Sequence, residues 1–345
     1  MKSKIAITMG DPAGIGPEII AKTLGDLDSY RVCNPLVIGD GYAMQMGIDV
    51  ARQSLKIRPI EKPSQAMYQY GTIDLVDLHN LDPNKIEMGK AAPMTGAASA
   101  EYVIHAADLA LAGSVDAIVT APLNKEAMHM GGYNYPGHTE LLAEKSGTSN
   151  YAMMLATGKL RVIHVTTHIP FRDIVKKLNI DRIYTTIRIA HEACQSLGIK
   201  EPRIAVAGLN PHSGDGGIFG DEEARIITPA IERAKALMWN VDGPVPADTV
   251  FGKAIGGQYD IVVAMYHDQG HIPVKLLGMR YDESEGRWES VSGVNITLGL
   301  KFIRTSVDHG TAYGKAGRKE GTANPDSLKE AIQYAVQMAK ARKNQ

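Results

Sequence analysis

The sequence predicts an α/β fold in which short, mostly parallel strands alternate with amphipathic helices. Apolar runs of about five residues recur along the chain, and this is the length of a buried strand. Most of these runs are separated by stretches with apolar residues at helical spacing, which is typical of βαβ units. The chain has 345 residues, enough for two ordinary domains or one large α/β unit.

The strands predicted in the first part of the chain are residues 4–9, 35–39, 73–77 and 116–120. The pattern between the second and third of these runs is ambiguous. Pro93 opens a predicted helix that ends at Gly113 and places Val103 and Ala107 on its apolar face.

The strands predicted in the second part are residues 151–156, 160–167, 203–208, 261–265, 294–298 and 302–306. A helix with one apolar face is predicted around Ile183, Ile187, Ala190, Cys194 and Leu197. Another starts near Asp221, and we expect Pro229 to kink or divide it. Asp326 or Ser327 is expected to cap the last helix.

Composition excludes several classes of protein. Charged residues make up 22% of the chain and nearly balance, with a net charge of −1, so a basic nucleic-acid-binding or membrane-binding face is not predicted. The two cysteines, Cys33 and Cys194, give no disulfide framework. No apolar run approaches the ~20 residues of a membrane span, and the first residues show no signal-peptide pattern. A cytoplasmic location is therefore expected.

A glycine-rich turn, GDPAGIGPE at residues 10–18, follows the first strand. A strand, a glycine-rich turn and a helix start can together hold an anion on backbone N–H groups. The glycine spacing matches neither G-x-G-x-x-G nor a P-loop, so a purely structural turn is an equally good interpretation. At a later helix start, His138 and Thr139 could donate to a phosphate or carboxylate, while Thr139 could also be the N-cap.

Three histidines each follow the carboxyl end of a different predicted strand: His168, His212 and His267. These ends lie at one edge of a parallel sheet, so we expect the side chains to converge. Imidazole suits a divalent metal, and Lys275 nearby could hold an anionic substrate. The alternative is that Asp268 caps a helix and the histidines are ordinary core residues, as we expect for His164.

Eight motifs in order resemble those of the 4-hydroxythreonine-4-phosphate dehydrogenase family. They are GDPAGIGPE, APLNKE, PGHTE, THIP, LNPHSGDGG, PADT, YHDQGH and GVNITLGLKFIRTSVDHGTA, which together cover essentially the whole chain. NYPGHTE and YHDQGHIPVKLLG are most similar to the branch that acts on D-threonate 4-phosphate.

The resemblance implies two α/β/α domains with an active-site cleft between them, as in isocitrate and isopropylmalate dehydrogenases, and a homodimer. The expected domains are residues 1–135 with 300–345, and residues 136–299, the second carrying most of the metal ligands. The implied metal ligands are His168, His212 and His267, with His267 coming from the partner subunit. The implied substrate-binding residues are His138, Thr139, Lys275, Asn295 and Arg304. Lys275, Asp268 and Asp248 are the catalytic candidates.

The implied reaction is NAD-dependent oxidation and decarboxylation of a 4-phosphorylated four-carbon hydroxy acid. The expected substrate is D-threonate 4-phosphate or D-erythronate 4-phosphate, and the product dihydroxyacetone phosphate. The alternative substrate is 4-hydroxy-L-threonine 4-phosphate, on the route to pyridoxal phosphate. More remote alternatives are a non-catalytic phosphate-binding protein and a metal-dependent aldolase or lyase.

One divalent cation per subunit is expected, Zn²⁺ in the first place, with Mg²⁺, Mn²⁺ or Co²⁺ as alternatives. The motifs do not locate the NAD site, because enzymes of this fold bind NAD without G-x-G-x-x-G. Residues 280–292 resemble an insertion relative to the family, either an exposed hairpin or a loop that covers the cleft.

Overall fold

The computed structural model describes residues 2–284, 287–289, 293–318 and 321–343. It divides into two compact units, Met1–Ser149 with Leu300–Lys343, and Asn150–Gly299. The first unit extends beyond residue 135, where the sequence prediction placed its end, because the helix that begins at His138 packs on the helix that begins at Pro93. His138 and Thr139 therefore lie in the same unit as Arg304.

The strands of the first 149 residues are β1 (Lys4–Thr8), β2 (Asn34–Gly39), β3 (Lys56–Ile60), β4 (Thr72–Asp77) and β5 (Ala117–Thr120). The helices are α1 (Gly16–Leu24), α2 (Leu27–Val32), α3 (Gly41–Ala51), α4 (Pro93–Leu111), α5 (Lys125–Met130) and α6 (His138–Ser146). The predicted strands and the predicted helix in this part are confirmed. Strand β3 and helices α2 and α3 lie in stretches where no element is predicted.

The strands of residues 150–299 are β6 (Ala152–Thr157), β7 (Leu160–His164), β8 (Ile204–Ala207), β9 (Val241–Val245), β10 (Ile261–Ala264), β11 (Arg280–Asp282), β12 (Arg287–Glu289) and β13 (Val294–Leu298). The helices are α7 (Ile174–Lys177), α8 (Ile180–Ser196), α9 (Thr228–Lys235), α10 (Ala247–Ile255) and α11 (His267–Gly278). A π-helical turn, Glu223–Ile227, leads directly into α9, so the hydrogen-bond pattern changes just before Pro229 while the backbone stays helical. The chain then returns to the first unit with β14 (Ile303–Val307) and α12 (Asp326–Lys343).

The first unit contains the strand order β3-β4-β2-β1-β5-β14, with every pair parallel. The second contains β13-β6-β7-β10-β8-β9, where β6 runs antiparallel to both of its neighbours and the last four strands are parallel. Both units are α/β, as predicted. Strands β11 and β12 pair as a separate antiparallel hairpin; residues 285, 286 and 290–292 of the predicted insertion lie outside the described residues.

The central strands of each unit are apolar on both faces. In the first unit Ile5, Ile7, Leu36 and Ile38 are buried beneath the helices. In the second, a core cluster joins residues of β7, β8 and β10 to α10 and α11. Cys194 is buried in α8, as predicted, and burial raises the pKa of its thiol to about 12. Among the described residues, no helix is long and apolar enough to span a membrane.

Candidate functional site

Close backbone contacts account for two glycines of the turn after β1. A Cβ on Gly10 would come within 2.2 Å of the Pro122 carbonyl oxygen, and one on Gly16 within 2.0 Å of the Met9 carbonyl oxygen. Both glycines are therefore required by close backbone contacts. Asp11 is buried, and its Oδ1 accepts a hydrogen bond from the backbone N–H of Ala13 in the same turn, at 2.9 Å.

The carboxyl ends of β7, β10 and β8 lie side by side, since β10 pairs parallel with both neighbours. His168, His267 and His212 follow these three strands. The prediction that the three segments meet at one edge of a parallel sheet is therefore confirmed. Strand β7 is shorter than expected and ends at His164, which leaves His168 four residues beyond it in an irregular segment.

Helix α11 starts directly after β10, with His267 as its first residue. Tyr266 is the N-cap residue and its side chain makes no capping bond. Asp268 is therefore not the cap that the alternative interpretation proposed. It is exposed, and its Oδ1 lies 2.6 Å from Nδ1 of His267. A carboxylate there orients the imidazole and leaves Nε2 of His267 available to a ligand.

Four imidazoles cluster at this end of the second unit. The rings of His267 and His271 stack at 3.6 Å, and Nδ1 of His271 lies 2.9 Å from the His267 carbonyl oxygen. The ring of His164 lies 4.7 Å from that of His271. His168 completes the cluster, with its ring 5.7 Å from that of His267.

The expectation for His164 is only half confirmed. This side chain is 0% exposed, and its Nδ1 lies 3.2 Å from the Met153 carbonyl oxygen. Its Nε2 is buried without a hydrogen-bond partner among the described residues. Burial, and after it the nearby imidazoles, lowers the pKa of His164 to about 3. The ring is therefore neutral and packs beneath the exposed histidines.

A cavity of about 300 Å³ opens beside His168 and His267. Its walls are Thr167, His168, Ile169, Phe171, Ile174, Tyr266, His267 and Asp268. Two imidazoles and a carboxylate thus face one space, and this donor chemistry fits a divalent cation. Within the described residues of a single chain, however, no three His, Cys, Asp or Glu side chains are grouped closely enough to hold a metal.

His212 is exposed and lies in a backbone of unusual conformation. His212, Ser213 and Asp215 have φ values of 51°, 54° and 42°, and Gly214 and Gly216 between and after them are also left-handed. The ring of His212 lies 6.2 Å from that of Phe219. The structure therefore gathers His168 and His267 but does not add His212 to them within one chain.

The remaining candidates of the second unit are spread over several elements. Lys275 lies on α11, two turns beyond His267, and Asp248 is exposed in the first turn of α10. Asn295 lies on β13, where its Nδ2 is 3.1 Å from Sδ of Met153 and its Oδ1 is buried without a partner among the described atoms. An amide oxygen in that state is suited to accept from a bound hydroxyl group.

In the first unit, Arg304 is buried, and its charge acts on the partly buried His138. Arg304 on β14 is 2% exposed and donates to Oγ1 of Thr120 at 2.7 Å. Burial lowers the pKa of Arg304 to about 9, so the guanidinium is still charged at neutral pH. Burial, followed by the charges of Arg304 and Lys125, lowers the pKa of His138 well below its ordinary value. A neutral imidazole therefore lies close to a buried cation.

His138 is the first residue of α6, and Gly137 is its N-cap. Thr139 lies inside the helix, so the interpretation of Thr139 as N-cap is wrong. Nε2 of His138 is buried and has no hydrogen-bond partner within the described part of the chain. A helix start, a partnerless imidazole nitrogen and a buried guanidinium are together suited to an anionic ligand.

Comparison with known proteins agrees with this arrangement. The family model described as pyridoxal phosphate biosynthetic protein PdxA matches residues 31–335. The chain belongs to the PdxA family. It is 48% identical over 341 residues to a D-threonate 4-phosphate dehydrogenase of Cupriavidus necator, covering 98% of each chain. It is also 46% identical to a 4-hydroxythreonine-4-phosphate dehydrogenase of Desulforapulum autotrophicum, covering 97% of this chain and 95% of that one.

Among solved PdxA-type structures, the 4-hydroxythreonine-4-phosphate dehydrogenase of Klebsiella pneumoniae superposes with a TM-score of 0.86 at 46% identity. The match covers 98% of both chains. The resemblance stated from the motifs is therefore confirmed. As a PdxA-type dehydrogenase, the chain is an oxidoreductase that acts on a CH–OH group, and its family indicates a nicotinamide-type cofactor.

Several polar residues of this PdxA chain contact a candidate site residue or the backbone that leads to one, and the sequence analysis does not single them out. Thr120 orients Arg304, while Gln269 and Glu223 bind the backbone that leads to His212. Thr120 ends a buried strand and Gln269 lies inside the YHDQGH motif. These two features of the sequence could have indicated that both residues lie near the site. Glu223 lies in an ordinary charged stretch, and its pattern carries no signal.

Proposed function

We propose that the chain is an NAD-dependent and divalent-metal-dependent dehydrogenase that oxidises and decarboxylates D-threonate 4-phosphate, or its epimer D-erythronate 4-phosphate, to dihydroxyacetone phosphate. The observation that carries this proposal is the 48% identity, over 98% of both chains, to a relative named D-threonate 4-phosphate dehydrogenase. The buried Arg304 beside a neutral His138 supports it, because this substrate carries a phosphate and a carboxylate.

Each candidate residue receives a role in this proposal. Arg304, His138 and Thr139 bind the anionic ends of the substrate, and Asn295 accepts from one of its hydroxyl groups. Either Asp268 or Asp248 accepts the proton of the C3 hydroxyl. When bound, NAD would supply the acceptor for the hydride at C3, and the β-keto acid that results would lose CO₂. Lys275 stabilises the enolate charge that develops, and protonation gives dihydroxyacetone phosphate.

His168, His212 and His267 would hold the cation, most suitably Zn²⁺, with ligands from two copies of the chain. The family resemblance assigns His168 and His212 to one copy and His267 to the other, although His168 and His267 also lie near each other within one chain. When bound, the cation would supply polarisation of the substrate hydroxyl group. Two observations support a homodimer with shared sites. Residues of a single chain that are described here hold no complete group of metal donors. Helix α11, which starts with His267, also exposes Ile272 and Leu276 by 58% and 76%.

Mixing two inactive variants tests the shared site. We expect His212→Ala and His267→Ala each to be inactive alone. After unfolding and refolding together, half of the dimers are mixed, and one of the two sites in each mixed dimer has all its ligands. About a quarter of wild-type activity should return, as a two-fold symmetric dimer requires. No recovery, with dimers present by light scattering, would place all three ligands in one subunit.

Substrate assays test the reaction. The purified chain with NAD and Zn²⁺ should form NADH and dihydroxyacetone phosphate from D-threonate 4-phosphate, and a chelator should stop this turnover. No NADH from any phosphorylated four-carbon acid would refute a dehydrogenase of this class. A second candidate substrate, 4-hydroxy-L-threonine 4-phosphate, is favoured by the family description and by the relative at 46% identity. It differs from the first at C2, so the same assay with both substrates separates them.

A further inference from the structure

The backbone that leads from β8 to His212 is held by two buried side chains from elsewhere in the second unit. The carbonyl oxygen of Gly208 accepts from Nε2 of Gln269 at 2.7 Å. The next two N–H groups, of Leu209 and Asn210, both donate to Oε1 of Glu223, at 2.8 and 2.7 Å. Three successive residues are thus fixed immediately before the loop of residues 211–217, which we call the His212 loop.

Gln269 also connects this backbone to the strand before His267. Its Oε1 accepts from the N–H of Met265 at 2.6 Å, and Met265 directly follows β10. The residue is 8% exposed and lies two positions after His267 on α11. One amide side chain therefore links the ends of two neighbouring strands, each of which leads to a candidate ligand.

Glu223 is 5% exposed and lies at the start of the π-helical turn. Its second oxygen, Oε2, accepts from Nδ2 of Asn210 at 2.9 Å. A Cβ on Gly214, within the His212 loop, would come within 2.9 Å of the same oxygen. The carboxylate therefore packs directly against the loop as well as against the backbone before it. π-Helical turns often occur beside functional sites, where they redirect a side chain.

The His212 loop needs such support because its conformation is costly. His212, Ser213 and Asp215 all have left-handed backbone angles, with φ of 51°, 54° and 42°. Residues with a side chain adopt these angles at a cost, and they persist where surrounding contacts over-determine them. The bonds from Glu223 and Gln269 are contacts of that kind.

We propose that Glu223 and Gln269 are positioning residues that hold the His212 loop in the conformation required for metal binding. The inference rests on the proposed function, in which His212 is a metal ligand. Both side chains act through the backbone of residues 208–210. Outer contacts of this type typically change metal affinity by about 10- to 100-fold.

The test measures the affinity of the full-length, metal-free protein for Zn²⁺ by competition with a chromophoric chelator. Glu223→Ala removes every bond from this carboxylate and should weaken Zn²⁺ binding by about 10- to 100-fold. Glu223→Gln keeps an oxygen for the two N–H groups and should recover part of the loss. Gln269→Glu keeps the bond from Met265 and removes the donor to Gly208, so its affinity should fall as well.

Glu222→Ala is the matched control. Glu222 is the neighbouring carboxylate and accepts from the side-chain Nδ2 of Asn210 at 2.8 Å. Its removal should leave Zn²⁺ affinity unchanged. Far-ultraviolet circular dichroism checks the fold of each variant, and if Glu223→Ala does not fold, Glu223→Gln and Gln269→Glu decide the question.

Zn²⁺ affinity equal to wild type in the folded Glu223 and Gln269 variants would overturn the inference. His212→Ala, measured alongside, separates this result from failure of the proposed function. If His212→Ala binds Zn²⁺ weakly while the Glu223 and Gln269 variants bind normally, only the positioning role is refuted. If His212→Ala also binds normally, His212 is not a ligand, and both proposals fail together.

Discussion

The two units place their candidate ligands in opposite environments. In the first unit Arg304 is almost fully buried and His138 is kept neutral by burial and neighbouring cations. In the second unit His168 is exposed, and with His267 it lines a cavity that also includes the exposed Asp268. Arg304 is a buried cation whose guanidinium is oriented by Thr120, and this arrangement suits one anionic group. Imidazoles near the surface can bind a cation together with donor groups from outside the chain. We therefore expect substitutions at the second-unit histidines to change Zn²⁺ affinity, and substitutions at Arg304 to change the KM for the substrate.

The largest effect should come from the imidazoles that line the cavity of the second unit. His267→Ala removes a proposed ligand, so kcat/KM and Zn²⁺ affinity should both fall by more than the roughly 100-fold upper range for outer contacts. Steady-state kinetics and chelator competition measure the two quantities. Arg304→Lys is the control, and it should bind Zn²⁺ as wild type does. If His267→Ala bound Zn²⁺ as tightly as wild type does, His267 would not be a metal ligand.

The next effect should come from the buried cation. Arg304→Lys keeps the charge but loses the planar group that donates to Thr120, and bonds to charged groups contribute about 1.5–3 kcal/mol. The KM for the phosphorylated substrate should therefore rise by about 10- to 100-fold. The Zn²⁺ concentration for half-maximal activity should stay the same. A shift in metal requirement instead would show that the two sites are not separable.

The buried His164 should make stability depend on pH. Its pKa is about 3 in the folded chain and about 6.5 when unfolded, so only the unfolded chain takes up its proton as pH falls. The part of the free energy of unfolding that depends on neutral His164 is fully present above pH ~6.5 and is lost progressively toward pH ~3. At about pH 5 the loss is roughly 2 kcal/mol relative to neutral pH. Urea unfolding in chelator measures it, and His164→Gln should reduce the pH dependence by that amount. An unchanged slope in the variant would contradict the assignment.

The smallest effect should come from Thr120. Thr120→Val keeps the shape of the side chain but removes the hydroxyl oxygen that accepts from Arg304. A lost hydrogen bond of this kind costs about 1 kcal/mol, so the substrate KM should rise by roughly fivefold. Thr95→Val, at another buried threonine of the same unit, is the control and should leave KM unchanged. A KM equal to wild type in Thr120→Val would show that Arg304 is oriented by other contacts.

The interior of the fold was predictable because its strands are continuous apolar runs. The two strands that were not predicted, β3 and β9, each lie at one end of the strand order of their unit. Each contains a proline, Pro59 or Pro244, which cannot donate to a neighbouring strand and is tolerated at a sheet edge. Because proline interrupts the apolar pattern, these edge strands are not predicted from apolar runs. Pro273 similarly obscured α11, which continues through it.

The site was predictable as a set of strand ends but not as a set of contacts. Strand direction alone indicated that His168, His212 and His267 follow neighbouring strands. The bond from Gln269 to Gly208 spans 61 residues, and that from Glu223 to Leu209 spans 14. Side-chain bonds over such separations depend on packing, which no local pattern records. In the proposed shared site His212 and His267 belong to different copies of the chain, and no pattern within one sequence records that relation.

Gly270, between His267 and His271 on α11, lies where the structure leaves no room for a side chain. Glycine is a poor residue inside a helix, at a cost of about 1 kcal/mol relative to alanine. Here a methyl group would come within 2.4 Å of Nε2 of His164 and 2.7 Å of Cγ1 of Val162. The missing side chain lets α11 approach β7 closely enough for His271 to lie against the ring of His164. Even alanine at this position would push the helix outward and carry His267 away from the cavity that it lines.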